Sequence, residues 1–393
     1  MSYLAARPQM RPLLERVAGD VHSALGLPNE AYLCPEFYAA EKQKVFAQNW
    51  ACAGVGADIA EPGSVAPVTL FDEPLLLVRD KQGQIKVFYN VCRHRGMILV
   101  DEAQQCNVIR CPYHSWCYNH AGDLVMTPHA GGPGNNTCER LDKEVSGLLE
   151  VRSHVFMDMI FVNLDGKAAP FEEMHRPLIT RWAEFDKPLY HAGEDSRFQL
   201  ELNTNWKLAV ENYAESYHLP WVHPALNAYS RLEDHYNILE EGHFSGQGTL
   251  VYSPSYDASG RSFPCFNALS EKWDKAAEYI TLLPNAMIGV HKDHSYVIRL
   301  EPQGPGKTTE HIDIYYAQPE ALSDDYANLR ARNKELWKTV FKEDIFVVEG
   351  MQRARHASGF DGGVFAPAMD APTHLFHRWI ATKMLVEETE PTV

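Results

Sequence analysis

Two short pairs of metal-binding side chains stand out in the sequence. Cys92-Arg-His94 is followed, after sixteen residues, by Cys111-Pro-Tyr-His114. Two cysteines and two histidines can hold zinc, but zinc sites normally pair two cysteines in one loop and two histidines on a helix. A 2Fe-2S cluster with two thiolates on one iron and two imidazoles on the other needs one cysteine and one histidine from each of two loops. The spacing therefore favours such a cluster, held by Cys92, His94, Cys111 and His114.

A second set of potential ligands lies further along the chain. His218 and His223 are five residues apart, which in a regular helix would place them about 140° apart. They converge only if the helix breaks, and Pro220 and Pro224 can supply that break. Two histidines and one carboxylate on one side of an iron form a facial triad that leaves positions open for O2 and substrate.

The carboxylate of such a triad must come from elsewhere in the chain. The segment from Trp337 to Gln352 has the pattern of a helix, and Asp344 lies on its apolar stripe. A carboxylate in such surroundings is costly unless it is paired or bound to metal. Glu343 has a less apolar neighbourhood, but helical phase does not separate adjacent residues cleanly.

The elements that must position these residues change in character along the chain. Residues 1–45 are predicted to be an N-terminal helical segment that packs on the catalytic domain, with one helix at 9–24 and another after Pro35. Residues 46–165 consist of short β-branched and aromatic runs divided by turns, which is typical of a small antiparallel β domain.

Residues 166–393 mix strands such as YVIRLEP and HIDIYYAQ with helices, so we expect an α+β domain. One helix is predicted from Asn205 to His218, which would place Glu211, Glu215 and His218 on one face. A second helix is predicted from Asp324 to Gln352.

Length and charge exclude several classes of protein. A chain of 393 residues is expected to form two domains with separate cores. Its formal charge of −16 would repel phosphate backbones, so no nucleic-acid partner is expected. No apolar run has the length of a signal peptide or membrane span, which predicts a cytoplasmic protein without a membrane partner. The eight cysteines are too sparse for a disulfide scaffold.

These motifs together resemble those of the Rieske non-haem iron ring-hydroxylating oxygenases. The family's cluster loops match C-R-H-R-G at 92–96 and C-P-Y-H-x-W at 111–116, and its catalytic motif matches N-W-K-x-x-x-E-N-x-x-E-x-Y-H-x4-H-P at 205–224. Its third iron ligand is the aspartate of an E-D pair, which points to Asp344. The resemblance implies an α+β fold: an N-terminal antiparallel β Rieske domain, then a catalytic domain with a curved antiparallel sheet packed by helices (helix-grip, START-like).

The resemblance also implies roles for Glu215 and Asn212. In the family, an acidic residue three positions before the first iron histidine connects across a subunit boundary to the second cluster histidine, here His114. A homotrimer, or a hexamer built from trimers, follows from this arrangement. Asn212 lies in the catalytic motif and is taken as a further catalytic residue.

The activity implied is that of the oxygenase component of a multicomponent oxygenase of the EC 1.14 class. Its cofactors would be one 2Fe-2S Rieske cluster and one mononuclear Fe(II), with O2 as co-substrate. The chain has neither a dinucleotide-binding G-x-G-x-x-G motif nor a second four-cysteine set. We therefore expect a separate flavin/iron-sulfur reductase that oxidises NAD(P)H. Electrons would pass from the cluster through His114 and Glu215 to the iron.

The substrate is the least determined part of this prediction. Most family members have Asp at the position of Glu215, and Glu is found in the branch of glycine betaine, carnitine and choline oxygenases. This favours hydroxylation or N-demethylation of a small quaternary ammonium, betaine-like compound, whose cation would need aromatic faces. The available aromatic residues, which are more often core than cage, are Tyr213, Tyr217, Trp221, Tyr229, Tyr252, Tyr256, Phe263 and Phe266.

Three alternatives remain open on sequence grounds. An aromatic-ring dioxygenase or an O-demethylase would share both metal motifs, and its products would distinguish it. A non-enzymatic Rieske electron carrier would contain cluster iron alone, whereas a zinc-stabilised binding protein would contain no iron.

Overall fold

The computed structural model describes residues 3–240, 242–254 and 261–386, and the chain divides into two compact units. One unit is continuous and comprises Gln48–Ala168. The other is formed by Met1–Ala47 together with Ala169–Val393. No helix of the described residues combines the length and apolarity that crossing a bilayer requires.

The N-terminal segment consists of short helices that belong to the larger unit. They are α1 (Tyr3–Ala6), α2 (Met10–Val17), α3 (Glu30–Leu33) and α4 (Pro35–Glu41), which continues into a π-helical turn at Lys42–Ala47. The helix predicted at 9–24 is wrong in its length, because it ends at Val17. The side chain of Asp20 accepts a hydrogen bond from the backbone N–H of His22, and the backbone carbonyl of Asp20 accepts one from the N–H of Ser23. Such local bonds offer the backbone an alternative to the helix.

The smaller unit is an antiparallel β structure with two sheets. Its strands are β1 (Ala51–Val55), β2 (Ser64–Leu70), β3 (Glu73–Arg79), β4 (Ile85–Tyr89), β5 (Gln104–Gln105), β6 (Ile109–Arg110), β7 (Cys117–Tyr118), β8 (Leu124–Met126), β9 (Glu150–Phe156) and β10 (Met159–Asn163). The larger sheet has the order β1-β10-β9-β4-β3-β2-β5, and β6-β7-β8 form the smaller one. Two loops, β4–β5 and β6–β7, carry the two cysteine–histidine pairs.

The larger unit is built on an eight-stranded antiparallel sheet. Its strands are β11 (Tyr190–His191), β12 (Arg197–Leu202), β13 (His235–Glu240), β14 (Phe244–Thr249), β15 (Ala277–Leu282), β16 (Ala286–Val290), β17 (His294–Pro302) and β18 (Thr308–Tyr316). The order is β11-β18-β17-β16-β15-β14-β13, and β12 also pairs with β18. All pairs are antiparallel, and β13 to β18 lie next to one another in the order of the chain.

Helices pack against this sheet and complete the predicted α+β class. They are α5 (Phe171–Met174), α6 (Arg176–Arg181), α7 (Trp206–Ala214), α8 (Leu219–Val222), α9 (Pro224–Asn227), α10 (Ala327–Ala354) and α11 (Ala371–Leu385). Helices α7 and α11 contact β14, and α10 contacts β12 and α7. Helix α7 is short enough to end just before the predicted iron histidines.

A buried ion pair anchors α7 to the N-terminal helices. Nζ of Lys207 lies 2.7 Å from Oε1 of Glu41, and both side chains are fully buried. Burial raises the pKa of Glu41 and lowers the pKa of Lys207, because each charge is costly away from water. The ammonium group also lies 5.2 Å from the ring centroid of Trp206. The first turn of α7 is thereby fixed relative to α4.

Candidate metal centres and substrate pocket

The two cysteine–histidine loops share one pattern of backbone hydrogen bonds. In each loop the cysteine, Cys92 or Cys111, donates its N–H to the carbonyl five residues on and accepts from the N–H four residues on. The residue four positions on is Gly96 in the first loop and Ser115 in the second, with φ of 74° and 55°. Glycine adopts this left-handed conformation without strain, whereas serine does so less readily. Both loops therefore turn tightly around their cysteines.

The two cysteines of these loops are buried, whereas the two histidines are more accessible to solvent. Cys92 and Cys111 are each 2% exposed, and burial together with the neighbouring Cys92 thiol raises the pKa of Cys111. His94 is exposed, and its ring centroid lies 4.7 Å from that of His114. The buried Nδ1 of His114 finds no hydrogen-bond partner among the described residues. Thiols inside and imidazoles outside fit a cluster with one iron of each kind.

Two aromatic side chains support this pair of loops. The hydroxyl of Tyr118 lies 3.4 Å from Sγ of Cys92 and accepts a hydrogen bond from the N–H of Arg93 at 3.1 Å. The ring of Trp116 stacks on His94, with centroids 4.6 Å apart and planes 10° from parallel. Hydrogen bonds near the sulfur atoms and packing around the imidazoles are the means by which a protein adjusts the potential of such a cluster.

The second centre brings together His218, His223 and Asp344. One ligand atom from each lies within 4.8 Å of the others, and this is the only such group of three or more found in the described part of the chain. Oδ1 of Asp344 is 3.0 Å from Nε2 of His223 and 3.7 Å from Nε2 of His218. This oxygen is buried and has no hydrogen bond of good geometry within the described ranges. Three lone pairs directed at one point are what a facial triad requires.

Each of the two histidines is oriented by a further carboxylate. Nδ1 of His218 donates to Glu215 at 2.6 Å, and Nδ1 of His223 donates to Glu343 at 2.7 Å. Each bond leaves the Nε2 lone pair free to face Asp344. Burial disfavours protonation of His223, but Asp344 and Glu343 outweigh it and raise its pKa. The two carboxylates thus make the surroundings of His223 favourable for positive charge.

The break between the histidines differs from the one predicted. Helix α7 ends at Ala214, and Glu215 is already extended, with φ −125° and ψ 163°. His218 precedes α8 and His223 follows it, so one short helix separates the two ligands. Pro220 lies in the first turn of α8, where a missing N–H costs nothing. The proline starts a new helix here and does not itself cause the break.

Glu211 does not share a face with Glu215 and His218, so that prediction is wrong. Because α7 ends before Glu215, Glu211 remains inside the unit and is 5% exposed. It accepts a hydrogen bond from the hydroxyl of Tyr32 at 2.5 Å, and Nε2 of His377 lies 3.0 Å away. Its carboxylate therefore ties α7 to α3 and α11.

A pocket of about 480 Å3 opens beside the three converging side chains. Asn212 and Glu215 line it together with all three of them. A polar group at the wall is formed by His235, whose ring contacts Gln247 and Ser230. The remaining lining is mostly aromatic and aliphatic: Tyr213, Leu219, Leu226, Tyr279, Tyr296, Trp337, Val340 and Phe341. This lining, mostly apolar with a few polar groups, is typical of a small-molecule site.

Most of the aromatic residues that the sequence offered for binding a cation do not line this pocket. Tyr213 lines the pocket, whereas Tyr217 and Trp221 are exposed. The side chains of Tyr229, Tyr252, Phe263 and Phe266 are not part of the lining, and Tyr256 lies outside the described residues. Sequence reasoning missed Tyr279 and Tyr296, which project from β15 and β17. Side chains alternate between the two faces of a strand, so each tyrosine could be assigned to one of two faces from the sequence. Only the sheet shows which of these faces meets the pocket.

Comparison with known families accounts for both centres. Residues 189–386, half of the chain, match the ring hydroxylating alpha subunit (catalytic domain), and residues 49–141 match the Rieske [2Fe-2S] domain.

The chain belongs to the ring-hydroxylating oxygenase alpha-subunit family.

It is therefore a Rieske-type non-haem iron oxygenase. The predicted family, enzyme class and fold are confirmed. A Rieske cluster and a mononuclear iron are the cofactors that these two domains imply.

Relatives of this oxygenase include proteins named as carnitine and choline monooxygenases. The carnitine monooxygenase oxygenase subunit of Escherichia coli is 28% identical over 354 residues, covering 89% of each chain. The chloroplastic choline monooxygenase of Atriplex hortensis is 26% identical over 364 residues, covering 91% of this chain and 77% of the relative.

Solved structures with this fold include oxygenases of more than one substrate class. A complex of the quaternary ammonium Rieske monooxygenase CntA with L-carnitine has a TM-score of 0.75 at 24% identity, covering 93% and 97% of the two chains. Naphthalene 1,2-dioxygenase from Rhodococcus sp. has a TM-score of 0.76 at 19% identity, covering 97% and 99%. The fold alone therefore does not select between a cation and an arene.

Proposed function

We propose that this oxygenase hydroxylates or N-demethylates a small quaternary ammonium compound at an iron held by His218, His223 and Asp344. The observation that carries this proposal is the pocket beside these ligands, in which aromatic rings and carboxylates occur together. Of the described residues that line it, none is a lysine or an arginine. Such a wall favours a cation, since none of these lining side chains is a lysine or arginine that could pair with an anion.

The aromatic side chains supply the contacts that a quaternary ammonium group needs. Tyr213, Tyr279, Tyr296, Trp337 and Phe341 all line the pocket. A cation over such a ring gains roughly 0.5 to 2 kcal/mol, with the larger values in desolvated sites. A trimethylammonium group cannot donate a hydrogen bond, so ring faces suit it better than carboxylates alone. The carnitine and choline monooxygenase relatives support the same substrate class.

The remaining polar residues of the pocket have roles in orientation. When bound, the Rieske cluster stores electrons and the mononuclear iron supplies the oxygen chemistry. We propose Cys92, His94, Cys111 and His114 as the cluster ligands. Glu215 holds His218 in the tautomer that exposes Nε2, and Asn212 is placed to contact the substrate or O2. His235 and Gln247 offer hydrogen bonds to the polar end of a choline-like or betaine-like molecule.

We further propose a homotrimer, or a hexamer of trimers, that receives electrons from a separate flavin/iron-sulfur reductase using NAD(P)H. Glu215 would connect His218 to His114 of a neighbouring copy. Exposed aromatic and apolar side chains lie near both proposed ends of this contact. They are Tyr217 and Trp221 beside Glu215, and Met97 and Tyr113 beside the cluster histidines. Exposed groups of this kind are characteristic of interaction surfaces.

A single turnover tests the proposed reaction. The iron-loaded enzyme is reduced chemically, freed of reductant, and mixed with O2 and a panel of choline, carnitine, betaines and arenes. We expect a demethylated amine with formaldehyde, or an aldehyde from choline, each identified by mass spectrometry. A hydroxylated arene as the main product would replace this proposal with an aromatic-ring oxygenase. Cluster iron without mononuclear iron would identify an electron carrier.

A further inference from the structure

The indole of Trp337, which lines the substrate pocket, is hydrogen-bonded on the side away from it. Its Nε1–H donates to Nε2 of His294 at 3.0 Å. Nδ1 of His294 lies 2.7 Å from Oδ1 of Asp293. All three side chains are buried, with exposed fractions of 1%, 0% and 4%. Neither His294 nor Asp293 is a lining residue.

The chemistry of tryptophan fixes the direction of both hydrogen bonds. An indole N–H can only donate, so Nε2 of His294 must carry a lone pair. The proton of the imidazole is therefore on Nδ1, from which it is donated to the carboxylate of Asp293. The result is a chain in which Trp337 donates to His294 and His294 donates to Asp293. Nothing in this chain faces the pocket except the indole ring.

A second aromatic side chain of the pocket is held from behind in a similar way. The hydroxyl of Tyr279 lies 3.2 Å from Nε2 of His291. The ring of His291 stacks on that of His294, with centroids 4.3 Å apart and planes 3° from parallel. Both histidines are fully or almost fully buried. Two pocket rings are thus supported by one stacked pair of imidazoles.

We propose that Asp293 and His294 are positioning residues that orient the indole of Trp337 and strengthen its attraction for a cation. Hydrogen-bonded groups polarise one another in a low-dielectric interior. Donation toward an imidazole that is itself bonded to a carboxylate shifts electron density onto the indole. A ring with more electron density has a more negative face, and this face is the part of an aromatic ring that binds a cation. This inference rests on the proposed function and deepens it.

The proposal is tested by equilibrium binding to the oxidised holoenzyme without reductant, so that no turnover occurs. The probes are two matched pairs: choline with 3,3-dimethylbutan-1-ol, and glycine betaine with 3,3-dimethylbutanoate. Within each pair only the charge of the trimethylated centre differs. The quantity measured is the ratio of the two dissociation constants. It isolates the contribution of the positive charge from that of shape.

We expect wild-type enzyme to prefer the cation in at least one pair, and Asp293→Asn to reduce that preference by about three- to tenfold. The matched control is Asp313→Asn. Asp313 is also a buried carboxylate bonded to a histidine, His191, at 2.9 Å, but neither residue lines the pocket. This control should leave the ratio unchanged. Iron content and thermal midpoint are recorded for each variant.

A second measurement avoids any risk that Asp293→Asn fails to fold. Incorporation of 5-fluorotryptophan keeps the indole N–H but withdraws electrons from the ring. It should lower the preference in wild-type enzyme and leave it unchanged in Trp337→Phe. Asp293→Asn should likewise have no further effect on the ratio in the Trp337→Phe background, because the effect acts through the indole.

The outcomes separate this inference from the proposed function. Equal binding of both members in both pairs by wild-type enzyme would overturn the proposed function, and this inference with it. A clear preference for the cation that survives both Asp293→Asn and fluorination would uphold the proposed function. It would overturn the positioning role of Asp293 and His294.

Discussion

Oε1 of Glu215 lies 2.6 Å from Nδ1 of His218. The resemblance to the family implies a contact of Glu215 with a neighbouring subunit, and this role stays a prediction. The same carboxylate also accepts a hydrogen bond from the backbone N–H of Tyr217. Its position is therefore fixed by the turn that follows α7. A rigid acceptor at this point sets the tautomer and the ring orientation of His218.

Replacement of Glu215 by glutamine should slow oxidation of the reduced cluster by O2 and substrate. An amide can still accept the hydrogen bond from His218 but lacks the negative charge that polarises the imidazole, and we expect a decrease of about 10- to 100-fold. Stopped-flow absorbance of the cluster measures the rate, with iron content determined in parallel. Glu233→Gln, at an exposed glutamate of the same unit, is the control. An unchanged rate would remove Glu215 from the electron path.

The two adjacent carboxylates of α10 should differ in what their loss does to iron content. Asp344→Asn is expected to lower the iron from about three to about two per chain, because only the cluster iron remains. Glu343→Gln should retain all three, with mononuclear iron bound about 10- to 100-fold less tightly, because Glu343 only orients His223. Metal analysis with the visible spectrum of the cluster distinguishes them. The reverse pattern would make Glu343 the ligand.

Glu310 should make the iron-free protein less stable as the pH rises. It lies on β18 and lines a small cavity together with Asp344, and burial together with the charge of Asp344 raises its pKa to about 8. Between the ordinary value of 4.5 and about 8 the folded state keeps a proton that the unfolded state loses. The contribution of Glu310 is thus complete below 4.5 and declines above it, by about 1.4 kcal/mol per pH unit.

Urea unfolding at pH 6 and pH 8 measures this effect. Glu310→Gln should flatten the decline, because its side chain does not titrate. Glu301→Gln is the control: His311 and Arg299 outweigh burial there and lower the pKa of Glu301, so this carboxylate is ionised in both states at pH 6 and pH 8 and contributes no slope between them. Equal slopes for Glu310→Gln and wild type would show that Glu310 is ionised in the folded protein.

Breaking the buried pair of Lys207 and Glu41 should cost much more stability than breaking an exposed one. Lys207→Met leaves a carboxylate without its partner in the interior, which typically costs about 3 to 5 kcal/mol. Removal of both charges, in Glu41→Leu with Lys207→Met, should restore part of this loss. The exposed pair of Lys307 and Glu201, 3.0 Å apart, is the comparison, with an expected cost below about 1 kcal/mol. Equal losses of unfolding free energy for the two pairs would argue against a role of Lys207 and Glu41 in anchoring α7.

The residues of the two centres could be predicted because metal sites draw ligands from short segments. The spacing of Cys92, His94, Cys111 and His114 is local, and so is that of His218 and His223. Asp344 needed the family resemblance, since the helical pattern did not separate it from Glu343. The course of the main chain just before His218 was predicted only in part. The sequence pattern continues to His218, whereas α7 ends at Ala214 and Glu215 is extended, and periodicity alone does not reveal this end.

The pocket wall could not be predicted to the same extent. Tyr279 and Tyr296 lie on different strands, and their approach depends on the register of β15, β16 and β17. A tyrosine in a strand has the same appearance in the sequence whether it meets a ligand or another core residue. The Trp337, His294 and Asp293 chain likewise joins α10 to the start of β17 across 43 residues. Contacts of this range are set by the tertiary fold alone.

The matching turns around Cys92 and Cys111 are held by the main chain, independently of the side chains that bind the cluster. Each turn is closed by main-chain bonds that involve no ligand side chain. The scaffold is thus preorganised, and little conformational entropy is left for the incoming cluster to remove. A small zinc finger, in contrast, folds only when its metal binds. Each loop therefore owes its shape to its main chain, and its cysteine and histidine side chains are left to bind the cluster.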